Sequence, residues 1–385
     1  MKRRFWKTVS AVTAAAMIVS GVPAVSMAEE AGTGALATDE AADMTEALAA
    51  DGAADMTEAL VADDAADMAE TSAADGADVR FPVTVTDQLG REVTIGEEPQ
   101  TLVSGYYIST SMLIGLGLED RLTGIEAKAD TRPIYSLAAP ELLELPNVGT
   151  AKEFDLEGCA TLAPDLVIVP ARLKDSIPAL EELGMTVIAV KPEDDAMMLE
   201  ALELIGEATG TQARADELVG CYNQKLGELS EALGDCGTPS VYLGGNSSFL
   251  STAGSGMYQN SMIERAGGAN VAAGIEEANW TDISYEQILA WNPDVILLAA
   301  DASYSVDDVL ADENLSGVTA IANGAVYQIP GSIEAWDSPV PACFLGSLWA
   351  ASVLHGDLWS ADDYQAAAVE FYETFYGFTP DVTTE

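Results

Sequence analysis

Basic side chains are scarce. Sixteen Lys and Arg stand against 63 Asp and Glu in 385 residues, a net charge of −47. That shortage excludes a nucleic-acid binder, because phosphate recognition needs clustered Lys and Arg. Histidine is reduced to His355, so no site can be built from several imidazoles; its place after Val353-Leu354 reads as a helix end. The four cysteines, Cys159, Cys221, Cys236 and Cys343, lack the paired short spacing of zinc or redox motifs. Were Cys221 and Cys236 on one helix, they would lie about 22 Å apart by helical rise, too far to bond. All four are expected as small buried residues. No G-x-S-x-G elbow, phosphate loop of the G-x-x-x-x-G-K-S/T type or cluster-binding cysteine set occurs, so turnover is unsupported and no cofactor is expected.

What the chain does have is apolar material, 49% of its residues, enough for a large core and, at about 150 residues per domain, two or three domains. Residues 1–28 open with Lys2, Arg3, Arg4 and Lys7, run apolar from Val9 to Val22 and end Ser26-Met27-Ala28. That pattern predicts an export signal cleaved after Ala28. The first cysteine is Cys159, so no lipid-anchored N-terminus is expected, and the mature protein should be periplasmic or surface-associated. Residues 29–80 carry fifteen acids and one base, with a twelve-residue repeat built on Ala-Ala-Asp-Met. Without aromatic or β-branched core material, this reads as a solvated spacer.

From Phe81 onward, apolar runs alternate with helical patterns. Val83–Val85 and Glu92–Ile95 flank a Gly-containing turn, which predicts a hairpin. Strand-like runs at 101–104, 122–125, 165–169 and 186–190 define one α/β lobe (81–193); those at 240–243, 294–298 and 325–329 define another (239–385). Between them (194–238), Ala215, Leu218, Val219, Tyr222, Leu226, Leu229 and Leu233 repeat every three or four residues, with Thr211 as N-cap and Gly234 as stop. The fold class is therefore α/β: two Rossmann-like lobes joined by a long helix, with a ligand cleft between them.

Open α/β sheets bind ligands beyond the carboxyl ends of their strands. In the first lobe that rule selects Tyr106 and Tyr107, then Lys128 and Arg132, then Arg172 and Lys174, then Lys191, with Lys152 before Glu157. Residues 81–385 hold only eleven bases against 48 acids, and no Lys or Arg follows Arg265. The first lobe is thus the expected anion-binding side, with Arg able to pair with oxyanion oxygens. The second lobe offers Asn246, Ser247 and Ser248, then Trp280, Tyr304, Glu334, Trp336 and Asp337. Trp280 and Trp336 are candidates to stack on a planar ligand, core packing being the alternative for each. Tyr106 and Tyr107 are candidates for hydrogen bonds more than for direct metal ligation.

Several stretches resemble the substrate-binding proteins of ABC importers for ferric siderophores, haem and cobalamin. They are the opening 85–95, Pro99-Gln100, Val148-Gly149 followed by Asp155-Leu156-Glu157, Pro164–Ile168, Leu204–Gly210, Ile283–Leu289 and Asn292–Ile296. Their order and spacing cover nearly all of 81–385. The resemblance implies a monomer that delivers a small molecule to a membrane permease, docking through one acid on each lobe, here Glu157 and Glu286. The alternative for both is an ordinary helix-start acid favoured by the helix dipole. An iron chelate, a ferric siderophore or haem, is the expected ligand. Cobalamin or a metal oxyanion is the alternative within the family; a surface scaffold or a metal-chelate enzyme is the alternative outside it.

Overall fold

A computed structural model describes residues 80–277 and 279–382. The expected export segment and the acidic repeat, Arg80 apart, lie outside the described residues. The chain enters through an antiparallel hairpin, β1 (Val83–Thr86) and β2 (Glu92–Ile95), with Val83 opposite Ile95. Buried Asp87 holds its turn: Oδ1 accepts from the backbone of Leu89 and Arg91, and Oδ2 accepts from the Arg91 guanidinium and from the backbone of Ala189. The last contact ties the hairpin to the edge of the first sheet, covering a strand edge that would otherwise be open.

That sheet contains β3 (Leu102–Ser104), β4 (Leu122–Gly124), β5 (Leu166–Pro170) and β6 (Val187–Val190), all parallel in the order β4-β3-β5-β6. Its strands are apolar runs because helices cover both faces. Those helices are α1 (Tyr107–Gly115), α2 (Pro133–Ala138), α3 (Leu156–Leu162) and α4 (Ile177–Glu182). The approach to α3 passes Gly149 at φ 84°, where a Cβ would sit 2.1 Å from the Glu153 carbonyl oxygen. Only glycine fits there.

Two helices then carry the chain between the lobes, α5 (Asp195–Thr209) and α6 (Gln212–Leu233). The Asp194 carboxylate caps α5 by accepting from Met197 N at 2.8 Å. At about 1.5 Å per residue α6 spans roughly 33 Å, as its apolar spacing predicts. Thr211 does occupy its N-cap position, but its side chain makes no capping bond and pairs with the Thr209 hydroxyl at 2.9 Å instead.

The second lobe holds β7 (Ser240–Gly244), α7 (Tyr258–Arg265), β9 (Ala269–Asn270), α8 (Tyr285–Trp291), β11 (Val295–Leu298), α9 (Val306–Leu310), α10 (Thr319–Asn323) and β12 (Val326–Gln328). Its sheet is again parallel, ordered β12-β11-β7-β9, and β8 (Ser251–Thr252) pairs with β10 (Thr281–Asp282) beside it. α11 (Phe344–Leu354) and α12 (Ala361–Phe375) close the lobe. Arg265, at the end of α7, pairs with Asp195 at 2.7 Å, and Tyr222 of α6 donates to the same carboxylate. This network fastens the second lobe to the inter-lobe helices. His355 ends α11 as expected, its Nε2 lying 3.2 Å from the Gly267 carbonyl oxygen. All four cysteines are free thiols, Cys159 and Cys343 buried, Cys221 and Cys236 partly so. Among the described residues no helix is long and apolar enough to cross a membrane.

Candidate functional site

The chain beyond the carboxyl ends of β3 and β4 in the first sheet, and of β11 and β12 in the second, lines one cavity. After β3 the chain passes Gly105 and starts α1 from Tyr106. A buried carboxylate, Glu126, fastens this corner: Thr110 of α1 donates to Oε2 and Tyr135 of α2 donates to Oε1, each at 2.6 Å. Burial raises the pKa of Glu126, and the two hydroxyl donors oppose that rise.

The cavity measures about 160 Å³, with Tyr107, Ser111, Arg132 and Tyr135 on the first lobe facing Asp301 and Glu334 on the second. Arg132 is the one base among its lining residues and lies 4.1 Å from the centre of the Tyr107 ring, a cation–π arrangement that sets the guanidinium plane. Ser111 donates to Glu334 Oε1, joining α1 to the loop after β12 across the cleft. Glu334 Oε2 is buried and has no hydrogen-bond partner. Burial pushes the Glu334 carboxyl up to about 7, against the Ser111 bond and the Arg132 charge. Asp337 is also pushed up to about 7, first by burial and then by the Asp301 charge, while Ala300 N donates to it at 3.2 Å. Burial raises Asp301 as well, with Arg132 opposing. Among the described residues no group of three or more His, Cys, Asp and Glu is placed to hold a metal ion.

Of the residues selected by the strand-end rule, Tyr107 and Arg132 line this cavity. Tyr106 is buried beside it, in edge contact with Tyr107 and with Arg172 stacked 5.9 Å from its ring centre. Arg172 therefore braces Tyr106 and is not among the lining residues. Lys128 adopts φ 68° to open a short turn, and Lys152 is exposed; neither lines the cavity. Asn246 has its Oδ1 buried without a partner and is not among the lining residues. Trp280 packs over Gly245, where a Cβ would meet its ring at 2.7 Å. Trp336 requires a correction: its ring is 1% exposed and its Nε1 donates to Tyr372 at 3.1 Å. It is core, with no face left for a ligand. Ser111 and Tyr135 carry no sequence signal, one lying inside an apolar helix and the other in a short one.

Glu157 and Glu286 occupy matching places. Each is exposed in the first turn of a seven-residue helix, α3 or α8, capped by Asp155 accepting from Gly158 N or by Ser284 accepting from Gln287 N. Each helix ends in a left-handed residue, Ala163 or Asn292. A Pro-Asp pair then leads into β5 or β11. The Glu286 carboxyl is held below its ordinary range by its own backbone N–H and the Ser284 hydroxyl.

Two parallel-sheet lobes, joined through helices and enclosing a polar cavity at their strand ends, have the architecture of a solute-binding protein. Residues 102–333 match the family model described as periplasmic binding protein, and the chain belongs to that family. The molybdate-binding protein MolA of Haemophilus influenzae is 28% identical over 328 residues, 77% of this chain and 92% of that protein. The structure of MolA bound to molybdate superposes with a TM-score of 0.68 at 25% identity, covering 78% of this chain and 99% of MolA. A periplasmic solute-binding protein from Veillonella parvula superposes with a TM-score of 0.70 at 24% identity, covering 78% and 94%. The chain is thus a substrate-binding protein of the periplasmic binding protein family.

Proposed function

We propose that the cleft takes a small oxyanion of the molybdate class for delivery to the permease. The observation that carries this reading is the cavity's size together with its single guanidinium. The volume is about 160 Å³. It falls below the roughly 300–1,000 Å³ of pockets that hold drug-sized ligands. Arg132 supplies paired N–H donors suited to oxyanion oxygens. MolA, similar in sequence and in fold, carries molybdate in its name and in its structure. The expected iron chelate has less support, because Lys128, Lys152 and Arg172 do not line the cavity. Haem, a ferric siderophore or cobalamin would need the lobes apart, against the Ser111–Glu334 bond. Titration calorimetry with molybdate, tungstate, ferric siderophores, haem and cobalamin decides. Micromolar or tighter binding of molybdate or tungstate is expected; binding of a chelate without either oxyanion would reject the reading.

The permease contact is assigned to Glu157 and Glu286, supported by their exposure and matching helix-start positions. Reversing both charges (E157K with E286K) should abolish transport while ligand affinity stays within a factor of about two, since surface substitutions cost little. Loss of ligand binding in that variant would count against the assignment.

A further inference from the structure

The two oxygens of Glu334 have different surroundings. Oε1 accepts from Ser111 across the lobes. Oε2 is buried without a hydrogen-bond partner, on a side chain that lines the cavity. Buried polar atoms are almost always paired, and among the cavity's lining residues this is the one such atom without a partner. We propose that Glu334 Oε2 shares a proton with an oxygen of the bound oxyanion, so that the site takes up the anion together with one proton. The inference rests on the oxyanion reading above.

The charges around the cavity favour this. Arg132 is the only base among the lining residues, and Asp301 stands with Glu334 on the opposite wall. Asp337 lies behind Asp301, its carboxylate held by Ala300 N. From the first lobe, Tyr107 lies under Arg132 and Tyr135 is committed to Glu126. Tyr376, 3.2 Å from the Ser111 hydroxyl, and Cys343 are the remaining titratable groups that sense Glu334. One guanidinium does not compensate a dianion beside two ionised carboxylates removed from water. A proton on Glu334 removes one of those charges and converts a bare acceptor into a donor. Because Ser111 already donates to Oε1, Oε2 is the oxygen left to carry it. No covalent bond changes: solvent supplies the proton, which ends between carboxyl and anion. Burial already holds this carboxyl near neutrality, and an adjacent anion raises it further.

The same oxygen can instead accept from an oxyanion that brings its own O–H. Either way one proton accompanies the ligand, and an anion that is readily protonated is preferred over one that is not.

Titration calorimetry of the full chain with sodium molybdate at pH 6, 7 and 8.5, each in two buffers of different ionisation enthalpy, measures proton uptake directly. Uptake near one proton per anion is expected at pH 8.5, falling toward zero at pH 6. Apparent affinity should weaken about tenfold per pH unit above about 7. Glu334→Gln should abolish the uptake and flatten the pH dependence, whereas Asp337→Asn should keep both. Wild-type binding without proton uptake at pH 8.5 would overturn the inference, as would uptake lost in Asp337→Asn and kept in Glu334→Gln. Absence of molybdate binding at pH 6 would overturn the oxyanion reading and this inference with it; binding without uptake overturns this inference alone. The wild-type measurement needs no variant, so a substitution that fails to fold leaves it decisive.

Discussion

Strands β3, β4, β5 and β6 of the first lobe and β7, β9, β11 and β12 of the second lie in the same spatial sequence, with the first strand between the second and the third. Each lobe reaches its third strand through a seven-residue helix, a left-handed residue and Pro-Asp. The aspartates do the same work. Asp165 accepts from Gln100 N and Thr101 N at the entry to β3, and Asp294 accepts from Ser240 N at the start of β7. The cavity walls diverge nonetheless, with Arg132 on one side and Asp301 and Glu334 on the other. Backbone anchors repeat while strand-end loops vary, so the duplicated plan positions the cleft and the loops decide its chemistry.

The lobes differ most in stability terms at Asp87, which has no counterpart in the second lobe because only the first carries the hairpin. Asp87→Ala leaves the Arg91 guanidinium short of its buried partner and frees three backbone N–H groups. A loss of about 3–5 kcal/mol is expected from denaturant melts. Next comes the cavity. Arg132→Ala should weaken oxyanion affinity about 30- to 100-fold, or about 2–3 kcal/mol, the worth of a charge-assisted contact. Arg172→Ala, which removes a guanidinium stacked on Tyr106 and outside the cavity lining, should change affinity less than about threefold. Equal effects in calorimetry would erase the distinction drawn between these two bases.

The smallest effects test what the lobes share. Asp165→Ala and Asp294→Ala should each cost about 1 kcal/mol, the usual scale of a side chain that satisfies free backbone N–H groups. Both carboxyls titrate below their ordinary value, Asp165 because of the Gln100 N–H and Asp294 because of the Ser240 hydroxyl and N–H. A depressed folded-state value means that the stabilisation is complete above the unfolded pKa of about 3.9 and disappears as pH falls through the folded value. Melting temperatures of wild type and both variants should therefore converge below about pH 3. A gap that persists there would show that packing, not the carboxylate, was lost.

Much of this architecture is legible in the residues. Strands covered on both faces read as unbroken apolar runs such as Leu166-Val167-Ile168-Val169, and the three- and four-residue spacing from Ala215 to Leu233 marks α6, with Thr211 and Gly234 giving its two ends. Two-residue strands such as Ser251–Thr252 and Ala269–Asn270 exist only through their partners and carry no pattern of their own. At the cavity, the strand-end rule selects loops that line it but not which of their side chains do. It therefore finds Tyr107 and Arg132 along with Lys128 and Arg172, which face elsewhere. Asp301 and Glu334 follow their strands just as visibly, yet in a chain so rich in acids nothing distinguishes two more of them. Their meaning appears only when Arg132 and Ser111 are seen across the cavity.

Anomalous diffraction at the tungsten edge, from crystals of the full chain grown with tungstate, locates the bound anion. One strong peak between Arg132 and Glu334 is the predicted result. A cleft without a peak, or tungsten found only on the outer surface, would contradict it.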